Sequence, residues 1–319
     1  MIMTLYVVTG AGPVGWTIAE QLAERGDSVR ILTRSGSGPE HPLIERLRID
    51  ASDGAALGTA VAGAAAVFHC IHGSAYSAAA WKRELPTAEA VVLEAAGRQG
   101  ALAVFPESLY SYSRPNEVMT EDSERAAVTG KRGIRTALLA ARAASTTDTI
   151  SVVASDFYGP RARTAHAGER MVPSVLKGAP IRLIGDPDAP HSFTYVPDLA
   201  AAMIAAADLP RTPDRVLHAP TLPALTQRLL AGAFAAAAGV NAPKLAGAPG
   251  KVVRALGVVM PSMREIGEMT YQFDRPFVMD STASEQVLGL TPTPLKTAAA
   301  ATVQWWQAEL AASPSPARA

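Results

Sequence analysis

The stretch Val7-Val8-Thr9-Gly10-Ala11-Gly12-Pro13-Val14-Gly15-Trp16-Thr17-Ile18-Ala19-Glu20 decides the fold. An apolar run ends in a glycine cluster. A helix-period pattern then starts at Pro13, a residue suited to a helix's first position. Gly10, Gly12 and Gly15 have the spacing G-x-G-x-x-G between that strand and that helix. The first glycine permits the tight turn, the second lets backbone approach a pyrophosphate, and the third lets helix and strand pack closely. The helix start, with Pro13 and Val14 in its first turn, offers unpaired N–H groups and a positive dipole end to phosphate. Gly10, Gly12, Pro13, Val14 and Gly15 are therefore expected to hold a dinucleotide.

Working outward, strands and helices alternate through the first half. The pattern predicts strands over 4–9, 28–33, 47–49, 65–70, 101–105 and 149–154. It predicts helices over 13–25, 53–62, 81–99 and 131–144. This succession argues for an α/β fold, a Rossmann-like doubly wound parallel sheet with helices on both faces. Past Pro160 the regularity breaks. Residues 161–191 read as loop with one helix near 169–177, and 192–208 as a strand and helix. From Pro220 the chain reads as mostly helical. We expect a dinucleotide-binding domain over 1–160, with 192–219 returning to it. A smaller, mostly helical C-terminal substrate lobe would comprise 161–191 and 220–319. The Ser/Pro-rich tail 313–319 is expected to fray.

Composition narrows the function classes. Lys+Arg and Asp+Glu are both 29 in 319 residues, so net charge is zero and nothing draws the chain toward nucleic acid or an anionic membrane. Cys70 is the single cysteine, so no internal disulfide forms, which fits a reducing compartment. The N-terminus has no basic segment and its apolar run is broken by glycines and Pro13, unlike a signal peptide. We expect a cytoplasmic protein acting on a small molecule. His69 and His72 flank Cys70 and Ile71, but with no acidic partner nearby they read as pocket lining, and no metal is expected.

The end of the second strand indicates which dinucleotide. An NAD-selective site usually places Asp or Glu there for the ribose hydroxyls. This chain has Thr33-Arg34-Ser35-Gly36-Ser37. Arg34 offers a guanidinium fork suited to a 2′-phosphate, so NADP(H) is favoured and NAD(H) is the alternative.

Further segments resemble the extended short-chain dehydrogenase/reductase family, the NAD-dependent epimerase/dehydratase group. Asp50-Ala51-Ser52-Asp53 resembles its D-x-x-D after the third strand, whose first Asp usually contacts adenine. Val67-Phe68-His69-Cys70-Ile71 resembles the strand running along the cofactor riboses, so Cys70, Ile71 and His72 would line that path. Phe157-Tyr158-Gly159-Pro160 resembles the turn at the substrate lobe, and Phe193-Thr194-Tyr195-Val196-Pro197-Asp198 resembles F-x-Y-V-x-D. Leu288-Gly289-Leu290-Thr291-Pro292, followed by Trp305-Trp306, resembles the C-terminal L-G-x-x-P…W pattern. The resemblance implies substrate contacts from Tyr158. His191 would either touch substrate or take the place of the family's frequent arginine. It also implies a homodimer formed through the helices near 81–99 and 131–144.

One departure stands out. The family catalyses with a Ser or Thr after the fifth strand and with Tyr and Lys in Y-x-x-x-K. Ser108, in Phe105-Pro106-Glu107-Ser108-Leu109-Tyr110-Ser111-Tyr112, matches the serine. Where Y-x-x-x-K belongs, the chain has Lys131-Arg132-Gly133-Ile134-Arg135, and no tyrosine anywhere has a lysine four residues on. Carbonyl reduction needs a proton donor matched to the working pH. Arg135 stays charged, so it can clamp a ribose or an oxyanion but cannot donate. Lys131 and Tyr110 are the candidate donors, while Tyr112 matches a tyrosine the family uses structurally. Glu107 is either a carboxylate in the cleft or an exposed loop charge. Two functions follow: an NAD(P)-dependent oxidoreductase or epimerase, or a non-catalytic NADP(H)-binding redox sensor that kept the fold and lost the tetrad.

Overall fold

A computed structural model of the chain describes residues 3–212 and 214–312. The tail 313–319, expected to fray, lies outside the described residues. The first half runs β1 (Leu5–Thr9), α1 (Pro13–Arg25), β2 (Ser28–Thr33), β3 (Ile44–Arg48), α2 (Gly54–Val61), β4 (Ala66–His69), α3 (Ala78–Arg98), β5 (Leu102–Ser108), α4 (Gly130–Ala143) and β6 (Thr149–Ala154). There follow β7 (Asp156–Tyr158), α5 (Val172–Leu176), β8 (Ile181–Ile184), β9 (Phe193–Tyr195), α6 (Val196–Ala207) and β10 (Arg215–His218). The rest is α7 (Gln227–Ala238), β11 (Leu245–Ala248), α8 (Gly250–Leu256), α9 (Pro261–Gly267), α10 (Thr282–Leu288) and α11 (Leu295–Ala312).

Seven strands form one sheet in the order β10-β6-β5-β4-β1-β2-β3, and every pairing in it is parallel. The central strands are buried along their length, as parallel strands covered on both faces must be. The strand order reverses between β1 and β4. At such a switch the connections leave in opposite directions and open a crevice beyond the carboxyl ends. The Rossmann-like doubly wound architecture is the one expected.

Two ends of α1 show how local chemistry sets its length. Pro13 occupies the first turn, and Gly26 stops the helix at φ 95°, returning its N–H to Ala23 and Leu22 carbonyls. Asp53 caps α2, its carboxylate accepting from Ala55 and Ala56 N–H at 3.1 Å each. The third strand starts earlier than expected, at Ile44, because Val29 to Thr33 of β2 pair with Ile44 to Arg48. The helix expected near 169–177 is only Val172–Leu176. Strands β8, β10 and β11 have four residues each, too few for a period to reveal.

The chain divides into two units. The first contains Met1–Ser155, Pro197–Thr221 and Met279–Thr291; the second contains Asp156–Val196, Leu222–Val278 and Pro292–Ala319. Residues 279–291 thus cluster with the sheet. There His218 Nδ1 donates to the Asp280 carbonyl at 2.6 Å, and Tyr112 donates to His218 Nε2 at 2.5 Å. In the second unit β7 pairs with β9 and β8 with β11. Its core gathers Tyr158, Phe193, Tyr195, Phe234 and Trp306. No helix among the described residues is long and apolar enough to cross a membrane.

Candidate functional site

The glycine turn sits at the strand-order reversal. Gly10 has φ 88°, and a Cβ there would lie 3.1 Å from the Cys70 carbonyl oxygen, so the turn abuts the end of β4. A Cβ on Gly15 would come 2.1 Å from the Gly10 carbonyl oxygen. A Cβ on Gly12 would meet nothing within 4 Å, and no side chain caps α1 at that residue. Two glycines are therefore required by the protein's own packing, while the third faces open space at an uncapped helix start. That combination fits a pyrophosphate, which would take the space and the free N–H groups.

Thr33 Oγ1 donates to the Ser37 carbonyl at 3.1 Å, and Ser35 Oγ to Ser37 Oγ at 2.8 Å, which fixes the loop after β2. Arg34 lies in this loop, exposed, with no hydrogen bond or ion pair among the described residues. Asp50 accepts from Ser52 N at 3.0 Å and Ser52 Oγ at 2.8 Å. These bonds, and the charge of Arg34, hold its carboxyl below the usual carboxylate range. Ala51 beside it is buried. Cys70 is half-buried, and burial pushes its thiol up, which disfavours the thiolate. Ile71 and His72 continue from β4 into the exposed lip. His72 is exposed yet crowded by protein on one side; this crowding and then Arg135 push it down to about 4.

His69, one residue inside, is fully enclosed. Its Nδ1 is 2.8 Å from Thr9 Oγ1, and its Nε2 has no partner. Burial, then Arg142 and Arg135, push it down to about 3, so it is neutral in the fold. In the unfolded chain it titrates near 6.5. A folded value below the unfolded one means that the unfolded state takes a proton the folded state refuses. This contribution to stability is complete above about pH 6.5 and is lost as pH falls toward 3, by about 1.4 kcal/mol per unit. His69→Asn, whose Oδ1 can replace Nδ1, should flatten the acid side of the stability curve by about one proton. Denaturant unfolding between these pH values checks this; parallel curves for the two proteins would remove His69 as the cause.

At the end of β5 the chain places Glu107, Ser108 and a 3₁₀ turn, Leu109–Ser111. Glu107 is buried. Its Oε1 accepts from Ser108 N at 2.7 Å and from the Ser108 hydroxyl at 3.3 Å, and lies 3.5 Å from Arg135 Nη1. Its Oε2 accepts from Arg142 Nη1 at 2.9 Å. Arg142, also buried, grips Glu89 with two bonds of 2.7 and 2.6 Å and donates to Ser151 Oγ at 3.0 Å. Burial pulls the Arg142 guanidinium down, but Glu89 and Glu107 outweigh it and hold it firmly charged.

Above this network lies an aromatic wall built on Trp81. Tyr110 stacks on it at 6.2 Å and 10°, while Tyr76 and His72 meet it edge-on at 5.5 and 4.6 Å. Arg135 places its guanidinium 4.9 Å from the Trp81 ring, and Lys131, 0% exposed, places Nζ 4.8 Å from the Tyr76 ring. Ser108, Tyr110, Lys131 and Arg135 are thus brought together, through Glu107 and Trp81. Tyr112 is buried, bonded to His218, and stands apart as structural.

Sequence reading missed Tyr76, Trp81, Glu89 and Arg142, none of which belongs to a motif. Of the two readings of Glu107, the exposed loop charge is corrected: the paired arginines draw it inside. Tyr158 and His191 belong to the second unit. His191 is 1% exposed, lies 2.7 Å from Asp156 Oδ2, donates from Nδ1 to the Gln272 carbonyl and stacks on Phe273. Tyr158 is buried in the second unit's core. Both side chains are enclosed by the packing of the second unit.

A family model for the NAD dependent epimerase/dehydratase family matches residues 6–217. The fold is similar to UDP-glucose 4-epimerase with UDP-glucose from Thermotoga maritima, at 18% identity and TM-score 0.74, over 96% of this chain and 100% of that one. It is similar to a dTDP-glucose 4,6-dehydratase double mutant from Streptomyces venezuelae with NAD bound, at 19% identity and TM-score 0.73, over 96% and 97%. It is also similar to UDP-glucuronic acid 4-epimerase from Bacillus cereus in complex with NAD, at 14% identity and TM-score 0.74, over 98% and 99%. No curated protein matches the chain by sequence.

Proposed function

This chain belongs to the NAD-dependent epimerase/dehydratase family, and on that premise we propose that it moves hydride between a bound nicotinamide dinucleotide and a hydroxyl or carbonyl carbon of a small molecule. The observation that carries this is the glycine turn at the strand-order reversal, with open space at Gly12. Gly10, Gly12, Pro13, Val14 and Gly15 would hold the pyrophosphate. Thr33, Arg34, Asp50 and Ala51 would hold the adenosine half, and Cys70, Ile71 and His72 the path to the nicotinamide. The bound dinucleotide supplies or accepts the hydride. The protein's part is the proton and the oxygen. Ser108, positioned by Glu107, would bond the substrate oxygen, with Tyr110 beside it. Lys131 and Arg135 add positive charge behind them, which favours a developing oxyanion. Arg34, exposed and unpaired, supports a preference for NADP(H) over NAD(H). A groove of about 530 Å³ between α3 and α4, lined by Pro86, Ala90, Leu138 and Ala141, supports self-association on that face.

A second reading is favoured by one observation. Lys131 stands where the family has its tyrosine and is fully buried, so its ammonium cannot reach a substrate unaided. A non-catalytic NADP(H)-binding sensor would need no such donor.

Calorimetric titration with NADP+, NADPH, NAD+ and NADH separates the readings. For an enzyme, both NADP forms should bind comparably, and more tightly than the NAD forms. Arg34→Ala should weaken the NADP forms by about tenfold or more and leave the NAD forms within about threefold, since one charge-assisted contact is lost. Strong preference for one redox form favours the sensor. Equal binding of NADP and NAD forms would withdraw the assignment of Arg34.

A further inference from the structure

We propose that Tyr76 is the proton-donating hydroxyl of this site, with Lys131 setting its ionisation and Tyr110 passing the proton on. The proposal rests on the oxidoreductase reading above and names a residue that reading leaves out.

Tyr76 lies in the connection from β4 to α3, and Tyr110 in the turn that ends β5. Both therefore stand at the carboxyl ends of strands beside the strand-order reversal, where ligands of such sheets bind. Their hydroxyl oxygens are 3.0 Å apart, a hydrogen bond in which either can donate. Tyr76 is 45% exposed, so its hydroxyl is reachable from solution. Lys131 is at the opposite extreme: it is enclosed, and its ammonium lies against the Tyr76 ring. A phenolate spreads its charge over the ring, so a cation held at the ring favours the ionised form more than the neutral one. An enclosed cation does this more strongly than a solvated one, because less water screens it.

The surrounding charges add to the same bias. From α4 come Lys131 and Arg135, the latter against Trp81, and Arg132, which donates to the Tyr110 carbonyl at 3.2 Å. From β5, Glu107 is occupied by Arg142, Arg135 and Ser108. From α3, Glu84 accepts from Ser74 N at 2.7 Å and Ser74 Oγ at 2.8 Å. From the end of β4, His72 is neutral at physiological pH. Lys131, Arg132 and Arg135 thus stand near the pair, while Glu107 and Glu84 are held by partners of their own.

The proton balance is simple. When the substrate carbonyl gains hydride, its oxygen takes the Tyr76 proton and Tyr76 is left as phenolate. Tyr110 returns a proton across the 3.0 Å bond and recovers its own from water. In the oxidative direction each transfer reverses. Lys131 never leaves its enclosure, so a buried lysine and a working proton donor are compatible.

The test is a near-ultraviolet titration of tyrosinate in the full chain without any ligand. Of the seven tyrosines, one should ionise about one pH unit or more below the ordinary tyrosine value. It should vanish in Tyr76→Phe and return to the ordinary range in Lys131→Met. In Tyr110→Phe it should persist at a shifted value. Tyr76→Phe removes one oxygen from an exposed side chain, so its folding is not at risk, and circular dichroism verifies this. Absence of an early-ionising tyrosine in the native chain, or its survival in Tyr76→Phe, overturns the proposal. So does indifference to Lys131→Met. Calorimetry of Tyr76→Phe with NADP+ and NAD+ keeps the two readings apart. Failure of the native chain to bind either dinucleotide defeats the oxidoreductase reading, while the titration alone judges Tyr76.

Discussion

Gly12→Ala should leave the protein folded and weaken dinucleotide binding about a hundredfold, whereas Gly15→Ala should cost it the fold's stability. The two glycines are three residues apart and belong to the same turn, yet they face different neighbours. Gly12 has φ −69°, which any residue adopts, and a Cβ there meets nothing within 4 Å. An alanine at this N-cap costs about 1 kcal/mol relative to glycine, too little to unfold the protein. A loss of affinity with the fold retained would therefore mean that the open space belongs to a ligand. The size follows from one or two charge-assisted backbone contacts of about 1.5–3 kcal/mol. At Gly15 the added carbon would come 2.1 Å from the Gly10 carbonyl oxygen and 3.1 Å from Cys70 Cβ. Backbone cannot yield as a side chain can, so α1 must lift from β1 at a cost of about 3 kcal/mol or more. Thermal unfolding and calorimetry on both variants measure the two effects. If Gly12→Ala binds NADP+ and NAD+ as the native protein does, the pyrophosphate does not sit there.

The second large effect is expected at Arg142. Among the described residues it is the cation that bridges Glu89 and Glu107, and all three are buried. Arg142→Met keeps most of the volume, strips Glu89 of the guanidinium that grips it and leaves Glu107 with Arg135, 3.5 Å away, as its counter-charge. Breaking a buried ion network from one side costs about 3–5 kcal/mol, which lowers the melting temperature on the order of 10 °C. Arg142→Lys keeps the charge but not the fork, and should fall between. Adding Glu89→Gln to Arg142→Met should recover part of the loss, because one stranded charge goes with it. The same substitution should loosen Ser108, since Glu107 holds both its N–H and its hydroxyl. Chemical denaturation of the three variants decides. A loss below about 1 kcal/mol for Arg142→Met would show that water reaches the carboxylates and that the network is not sealed.

What could be read in advance was local. The glycine turn and the alternation of periods through β6 depend on residues within a dozen of each other, and they pointed to the doubly wound parallel sheet but not to its strand order. Ser108, Lys131 and Arg135 were named because a family pattern marks their places, including the places where the pattern is broken, and Tyr110 because it lies two residues past Ser108. The remaining parts of the site have no local signature. Tyr76 meets Tyr110 across 34 residues, and Glu89 meets Arg142 across 53. Glu107 looks like a loop charge beside Ser108 until Arg142, 35 residues on, is folded against it. His191 likewise has surroundings with no local signature: Phe273, Phe277 and the Gln272 carbonyl, 81 residues on, enclose it together with Phe193.

The chain passes between its two units five times, and the first unit takes its last piece from Met279–Thr291. That arrangement puts a clock on biosynthesis. At about 5–20 residues per second, Thr291 is made roughly 15–60 s after the start. Until then His218 lacks the Asp280 carbonyl, and Glu121 lacks the Ser284 backbone N–H that it will accept from. The sheet and glycine turn are complete as sequence long before, yet the face of β10 that receives α10 stays uncovered. A nascent chain stalled before Met279 therefore carries the whole glycine turn and all seven sheet strands and still displays a raw edge, a mark by which chaperones and proteases can tell it from the finished protein.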